Sequence, residues 1–411
     1  MMIFLPPRRK PHLPQARTLV SGARAFALGS FMLCGAGLVS AAQADFAPYT
    51  KVIGIAVVAP LSGPQRQYGL DLSAGVGLAV DEANQARGLT DYGWAVHSYD
   101  DQADAGEALQ QAQFATIDDA TSFVIGHVGA SETLSALPAY QQAKIPLIVP
   151  GAGLAALTQK GYDNVFRLCP SDVTEGSQDA RYAERTLKAR RVAVVYEEND
   201  YGADAAQGFM SYAAARKQLG AKDYSVDVEL KRLTDVASSV KSYAPDLVFL
   251  AGSTPDMLRT VAALRAAGVS APLLATQSFY SSDVLSKSAG QLAGLTVSSC
   301  LPPIEMMPQA QPFVRRYSTA HGQLSAYALL GYVAAQVAID AARQARTADR
   351  RALVRQLAVG NFPTVLGNIS FQRNGDAQQD NFYFYTLDKA AFKYAGALYP
   401  NPLVCDPAHC R

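Results

Sequence analysis

The chain predicts an α/β protein built as two doubly wound parallel-sheet lobes, and three observations carry that prediction. From Lys51 onward, short apolar segments alternate with longer segments of helical periodicity. The apolar segments, KVIGIAVVA and LVFLAG among them, do not alternate polar with apolar, as expected of strands covered on both faces. The rhythm breaks at NVFRLCPSD and then starts again, so it describes two sheets rather than one.

In the first run, KVIGIAVVA (51–59) reads as a strand and 69–86 as a helix with apolar residues at helical spacing. The strand WAVHSYD, a helix over 105–116, the strand FVIGHV, a helix through LSALPAYQQA and the strand PLIVPGAG follow. Ser131 is the expected N-cap of the helix after FVIGHV, whose start would present the backbone amides of Ala130 and Ser131. The second run takes a helix over 175–189, the strand RVAVVYEE, a helix over 203–220 and the strand DYSVDVEL. A short helix, the strand LVFLAG, a helix over 255–268 and the strand PLLATQS complete it. Helical segments at 312–323, 325–345 and 350–360 and the strands NISFQ and NFYFYTLD must pack on one of the two sheets.

With 411 residues, 49% hydrophobic and 17% charged, the chain has the length and balance of a two-domain globular protein. Residues 1–44 read as a leader. Arg8, Arg9, Lys10, Arg17 and Arg24 precede the apolar stretch 25–41, and Ala42-Gln43-Ala44 supplies a small-x-small cleavage box, so export with cleavage after Ala44 is expected. A retained membrane anchor is the competing expectation. Removal of the leader takes five positive charges and no negative ones, moving the net charge from +1 to −4. No basic stripe remains for nucleic acid, and no later segment is apolar enough to span a bilayer.

Four cysteines follow the leader. Cys405 and Cys410 frame the loop CDPAHC and are expected to pair, as suits an oxidising compartment, which leaves Cys169 and Cys300. His409 between Cys405 and Cys410 could read as half a metal site, but no second ligand pair is visible and His97, His127 and His321 are scattered singly, so no metal site and no cofactor is expected.

Ligands of doubly wound sheets bind at the carboxyl ends of the strands. Here the strand-end loops are PLSGPQRQYG, HVGAS and PGAGLAALT in the first run and EENDYG, GSTPDM and TQSFYSS in the second, all rich in small and polar residues. None carries a dinucleotide-binding glycine loop, a phosphate loop or a nucleophile elbow, so binding without chemistry is expected. Glu197, Glu198 and Asp200 read as solvated rim charges, and Trp94 as core. Phe279 and Tyr280 read equally as an aromatic pocket wall or as lobe packing.

Taken in order, SGP after the first strand, YDDQADA, VIGHVGAS, VPGAGLAALTQKGYDNVFR, DYG and GNISFQRNGD resemble the periplasmic solute-binding proteins of the leucine/isoleucine/valine-binding type. The resemblance spans nearly all of the chain after the leader. It implies the type I periplasmic binding fold, in which two lobes joined by three crossover strands close on a small molecule. It also implies a monomer in the periplasm that serves the permease of an ABC uptake transporter. A periplasmic sensor subunit on the same fold is the alternative. The crossovers are expected near 166–170, 298–302 and 366–371, giving lobe one 46–168 and 302–368, lobe two 169–301 and 369–404, and a tail at 405–411. Cys169 and Cys300 then lie on adjacent crossovers, where a disulfide is expected and two free thiols are the alternative.

Carried residue by residue, the resemblance puts the ligand against Tyr68, Gly129, Ala130, Ser131, Gly151, Ala152, Gly153, Tyr201, Ser253 and Gln277. Ala130 stands where amino-acid-binding members have a serine for the ligand carboxylate, and Gly153 where they have a threonine. Gln277 replaces the acid that faces the ligand ammonium, and Ser253 replaces a tyrosine. Two expectations follow. The lobe-one wall is widened, and the ligand is a neutral or carboxylated molecule rather than a free α-amino acid, unless Glu198, Asp200 or Asp256 restores the charge.

Overall fold

The computed structural model describes residues 51–86, 92–227, 229–252, 254–281, 284, 292, 294–389 and 391–404. The leader, its cleavage box, Ser253, Cys405 and Cys410 lie outside the described residues.

Lobe one is built on a five-stranded parallel sheet of order β2-β1-β3-β4-β5. Its strands are β1 (Lys51–Ala59), β2 (Tyr92–Asp100), β3 (Thr121–Gly126), β4 (Leu147–Val149) and β5 (Val165–Arg167). The apolar run of β1 is read twice by its pleat. Ile53, Ile55 and Val57 enter one core, and Ala56 and Val58 the other. On the second of these faces lie α2 (Ala105–Ile117), α3 (Ala130–Gln142) and the single turn α4 (Ala156–Gln159).

On the opposite face α1 (Arg66–Ala86) packs along α10 (Ala326–Ala345), with α9 (Gln311–His321) and α11 (Arg350–Val359) beside them. The helical tail thus returns to the first sheet. Two glycines set how closely α1 and α10 approach: a Cβ on Gly75 or Gly331 would overlap the backbone carbonyl of Ala328 or Leu72. Trp94 is core, and Asn84 holds both its backbone groups, accepting from its N–H and donating to its carbonyl.

Lobe two carries β6 (Arg191–Glu197), β7 (Gly220–Val226), β8 (Leu247–Ala251), β9 (Leu273–Ala275), β10 (Thr296–Ser299), β13 (Tyr383–Asp388) and β14 (Ala391–Ala397). The order is β14-β13-β10-β9-β8-β6-β7, parallel from β10 to β7 and antiparallel at β13 and β14. That antiparallel edge was not anticipated, and β14 not read at all, because its alternating burial carries no apolar run. The sheet is covered by α5 (Asp172–Arg185) and α6 (Asp200–Ala214) on one face and by α7 (Leu233–Tyr243) and α8 (Thr254–Ala266) on the other.

Cys169 and Cys300 form a disulfide with Cα atoms 5.7 Å apart, tying together the segments that leave β5 and β10. The last crossing differs from expectation. NISFQ contributes only β12 (Gly367–Ile369), which pairs with β11 (Phe362–Thr364) in a separate ribbon. Ile369, Phe371 and Ala377 remain buried in the lobe-one core, so the chain crosses after Ala377 rather than at 366–371. The reason is Arg167. Fully buried, it donates from Nε and Nη2 to Asp376 and from Nη1 to the carbonyls of Gly153 and Leu154, which fastens 375–377 along β5.

Candidate functional site

The expected residues fall into local groups at the strand ends: Tyr68 and Gly151 meet at Tyr327, Gly153 meets Asp172, and Tyr201 and Gln277 meet at Glu175. At the start of α3 the N-cap is Gly129, not Ser131, and no side chain caps it. Ser131 lies in the first turn and donates to Glu132. The buried Glu132 carboxylate folds back over Gly129, where any Cβ would overlap it. An anionic group thus already stands at the helix start, where the macrodipole favours it.

Gly153 repeats the pattern. Asp172 is the first residue of α5, behind its N-cap Ser171, so the helix begins one turn earlier than the sequence rhythm indicates. Its amide donates to the Gly153 carbonyl at 2.9 Å, and its carboxylate fills the space a side chain at 153 would need. At Gly153 the wall is therefore not widened by the missing hydroxyl; the Asp172 carboxylate occupies its place. Gly151 faces Tyr327 and Leu330, and Ala152 is buried in the core beneath it. Tyr68, 48% exposed, meets the Tyr327 ring with centroids 5.1 Å apart and gives lobe one an aromatic wall.

In lobe two, Asn199 caps α6 by accepting from the Gly202 amide, which sets Tyr201 in the first turn. The Tyr201 hydroxyl donates to Glu175 Oε2 at 3.3 Å. Gln277 donates to the same carboxylate from its backbone N–H (2.6 Å) and from Nε2 (3.4 Å). Gln277 thus still stands against an acid, because Glu175 reaches it from the first turn of α5. The acids expected as replacements stand elsewhere. Glu198 pairs with Arg232 at 3.2 Å, Asp256 pairs with Arg259, and Asp200 is exposed at the start of α6. Phe279 and Tyr280 pack the lobe, Tyr280 against Tyr385 and Phe392.

Glu175 is completely buried, and so is Asp179 one turn further on. The Ser298 hydroxyl lies 3.1 Å from Glu175 and 3.2 Å from Asp179, yet it has one proton to donate. Burial pushes Glu175 up to about 7, against the hydrogen bonds from Gln277, Ser298 and Tyr201 that favour its ionised form. Asp179 is raised well above its usual value by burial and by Glu175 beside it. Asp172 is raised by burial, Glu175 and Asp204, which together outweigh Arg167. None of these acids has an ion-pair partner in the usual contact range among the described residues. Nor do the described residues hold a His/Cys/Asp/Glu group able to bind a metal.

Sequence reasoning missed Glu132, Asp172, Glu175, Asp179, Ser298 and Tyr327. A signal for the α5 acids was present: positions 172, 175 and 179 fall on one helix face, directly after a strand end.

No described helix is long and apolar enough to cross a membrane. A model of the periplasmic binding protein family matches residues 52–391. The chain is similar to the Leu/Ile/Val-binding protein homolog 1 of Brucella melitensis, with 27% identity over 346 residues, 83% of this chain and 91% of that one. The fold is similar to that of a leucine-binding protein from Thermotoga maritima, with a TM-score of 0.75, 23% identity and coverage of 85% and 99%. It is similar also to an ABC transporter substrate-binding protein from Desulfitobacterium hafniense in complex with leucine, with a TM-score of 0.73, 25% identity and coverage of 84% and 100%. Matched over most of its length, the chain belongs to the periplasmic binding protein family.

Proposed function

We propose that this protein captures one small organic solute between its lobes and delivers it to the permease of an ABC uptake transporter. The observation that carries this reading is the convergence of Tyr201, Gln277 and Ser298 on one buried carboxylate at the strand ends of lobe two, beside the lobe-one loop 151–155. Two hydrogen bonds already run between the lobes: the Asp172 amide donates to the Gly153 carbonyl, and the Ala155 amide donates to Asp204 at 3.0 Å. A solute touching both walls would stabilise a closed arrangement over an open one, which is the differential affinity that closure needs. Binding without catalysis is part of the reading, as are export with cleavage after Ala44 and a monomer that binds no nucleic acid. The relatives' ligands support an amino-acid-sized solute.

The test is a melting-temperature screen of residues 45–411 against amino acids, amides, amines and aromatic acids. A true solute at a hundred times its dissociation constant adds about 2.7 kcal/mol of stability and compacts the protein in small-angle scattering. Silence across the whole library refutes the reading.

A further inference from the structure

Resting on the solute-binding reading above, we propose that the solute is a small organic cation, an ammonium or amidinium on an aliphatic or aromatic body, without the α-carboxylate of an amino acid. Four observations converge on this. Glu175 is fully buried and held by three neutral donors, Tyr201, Gln277 and Ser298, none of which neutralises it. Asp179 beside it is also fully buried, and its Oδ1 has no hydrogen-bond partner. The start of α3, where a ligand carboxylate would sit, already carries the Glu132 carboxylate over Gly129, so a second anion there meets repulsion. At the other wall the half-exposed Tyr68 and its partner Tyr327 offer ring faces, which attract cations and cover apolar bodies.

Charge accounting points the same way. Glu175 is faced by Asp172 and Asp179 of its own helix, by Tyr201 of α6, by Gln277 after β9 and by Ser298 of β10. Asp204 adds negative charge beside Asp172, and Arg167, which lowers Asp172, is committed to Asp376 and to two carbonyls. A ligand ammonium supplies the missing counter-charge and favours the ionised form of Glu175. A metal ion is the other cation of suitable charge, but the described acids do not form a metal-binding group.

The experiment titrates the mature chain calorimetrically with three matched series. These are 3-methylbutylamine, leucine and 4-methylpentanoate; 2-phenylethylamine, phenylalanine and 3-phenylpropanoate; and agmatine, arginine and 5-guanidinopentanoate. In at least one series the amine binds at least about tenfold tighter than its parent amino acid, and the deaminated acid does not bind. Because Glu175 must be ionised, the amine binds about tenfold more weakly at pH 6 than at pH 8, while its own ammonium stays charged throughout. Glu175→Gln loses that affinity and its pH dependence; Glu175→Asp keeps the dependence, and unliganded melts verify that both variants fold. Tightest binding by an amino acid or a deaminated acid overturns the proposal and leaves the solute-binding reading intact. Silence of all nine compounds, with a hit elsewhere in the library that is not an organic cation, does the same. Silence everywhere overturns both.

Discussion

Replacing Glu175 by Gln should stabilise the unliganded protein, and by an amount that depends on pH. Burial raises the folded-state pKa of Glu175 to about 7, from a usual value of 4.5. Between those two values the folded protein holds a proton that the unfolded chain has released, so this group's contribution to stability falls as the pH rises through the window. Glutamine has the same shape, keeps an acceptor for Gln277 and Ser298, and carries no charge to desolvate. Integrated over the window, the wild type loses about 2–3 kcal/mol between pH 5 and pH 8 that the glutamine variant does not lose. Asp100, whose pKa is lowered because hydrogen bonds from Ser62, Leu61 and Gln102 outweigh its burial, acts below the usual carboxylate range and does not enter this window. The assay is urea unfolding of wild type and variant, ligand-free, at pH 5, 6, 7 and 8, read as the difference between the two proteins. A gap that widens toward pH 8 in favour of the variant is expected. Parallel profiles would refute the reasoning, because they would mean that Glu175 stays ionised and finds its counter-charge within the protein.

Gly153→Thr puts a Cβ into the Asp172 carboxylate and should cost about 1–3 kcal/mol by overpacking; restored leucine binding by this variant would show that Asp172 swings aside. Cys169→Ala with Cys300→Ala opens a loop of sequence separation 131 and should lower stability by about 2–4 kcal/mol in denaturant unfolding, with no loss in reducing buffer. Arg167→Leu leaves Asp376 and two carbonyls without their donor and should cost about 3–5 kcal/mol, with segment 375–377 becoming the first site of proteolytic nicking. Tyr68→Ala, at a half-exposed position, should leave the melting temperature of the free protein within a degree or two but weaken amine binding; unchanged affinity removes the aromatic wall from the site.

The β-strand and helix rhythm of both lobes was legible because it depends on period alone: Ile53, Ile55 and Val57 alternate with Ala56 and Val58, and α1 repeats Leu72, Val76, Ala79 and Val80 on one face. The crossing after Ala377 was not, since it is fixed by one arginine and by an aspartate 209 positions away. The site was half legible. Position-by-position reading found where the hydroxyls and the acid at 277 were missing but treated each absence as empty space. Absence at one position says nothing about a side chain that arrives from another element. At 153 and 277 the arrivals were Asp172 and Glu175, and Glu132 arrived over Gly129, next to the absence at Ala130.

That these three arrivals are all carboxylates ties charge to motion. Asp172 and Glu175 sit on the first helix after the first crossover, and the Asp172 amide meets the Gly153 carbonyl between the lobes. Asp172, Glu175 and Asp179 are buried together as groups of like charge. Closure without a cation therefore has to be accompanied by proton uptake or by the cost of uncompensated buried charge. A cationic solute that reaches these acids from the facing lobe removes that cost in the closed form alone. Its affinity is then concentrated in the closed state, which is the condition for a ligand to drive closure rather than simply to occupy the cleft. Lowering the pH should mimic the solute in part. Small-angle scattering of the ligand-free protein should show a more compact particle at pH 5 than at pH 8, and Glu175→Gln should already be compact at pH 8. A radius of gyration that is independent of both pH and the substitution would separate the buried acids from closure and leave them a role in selecting the ligand only.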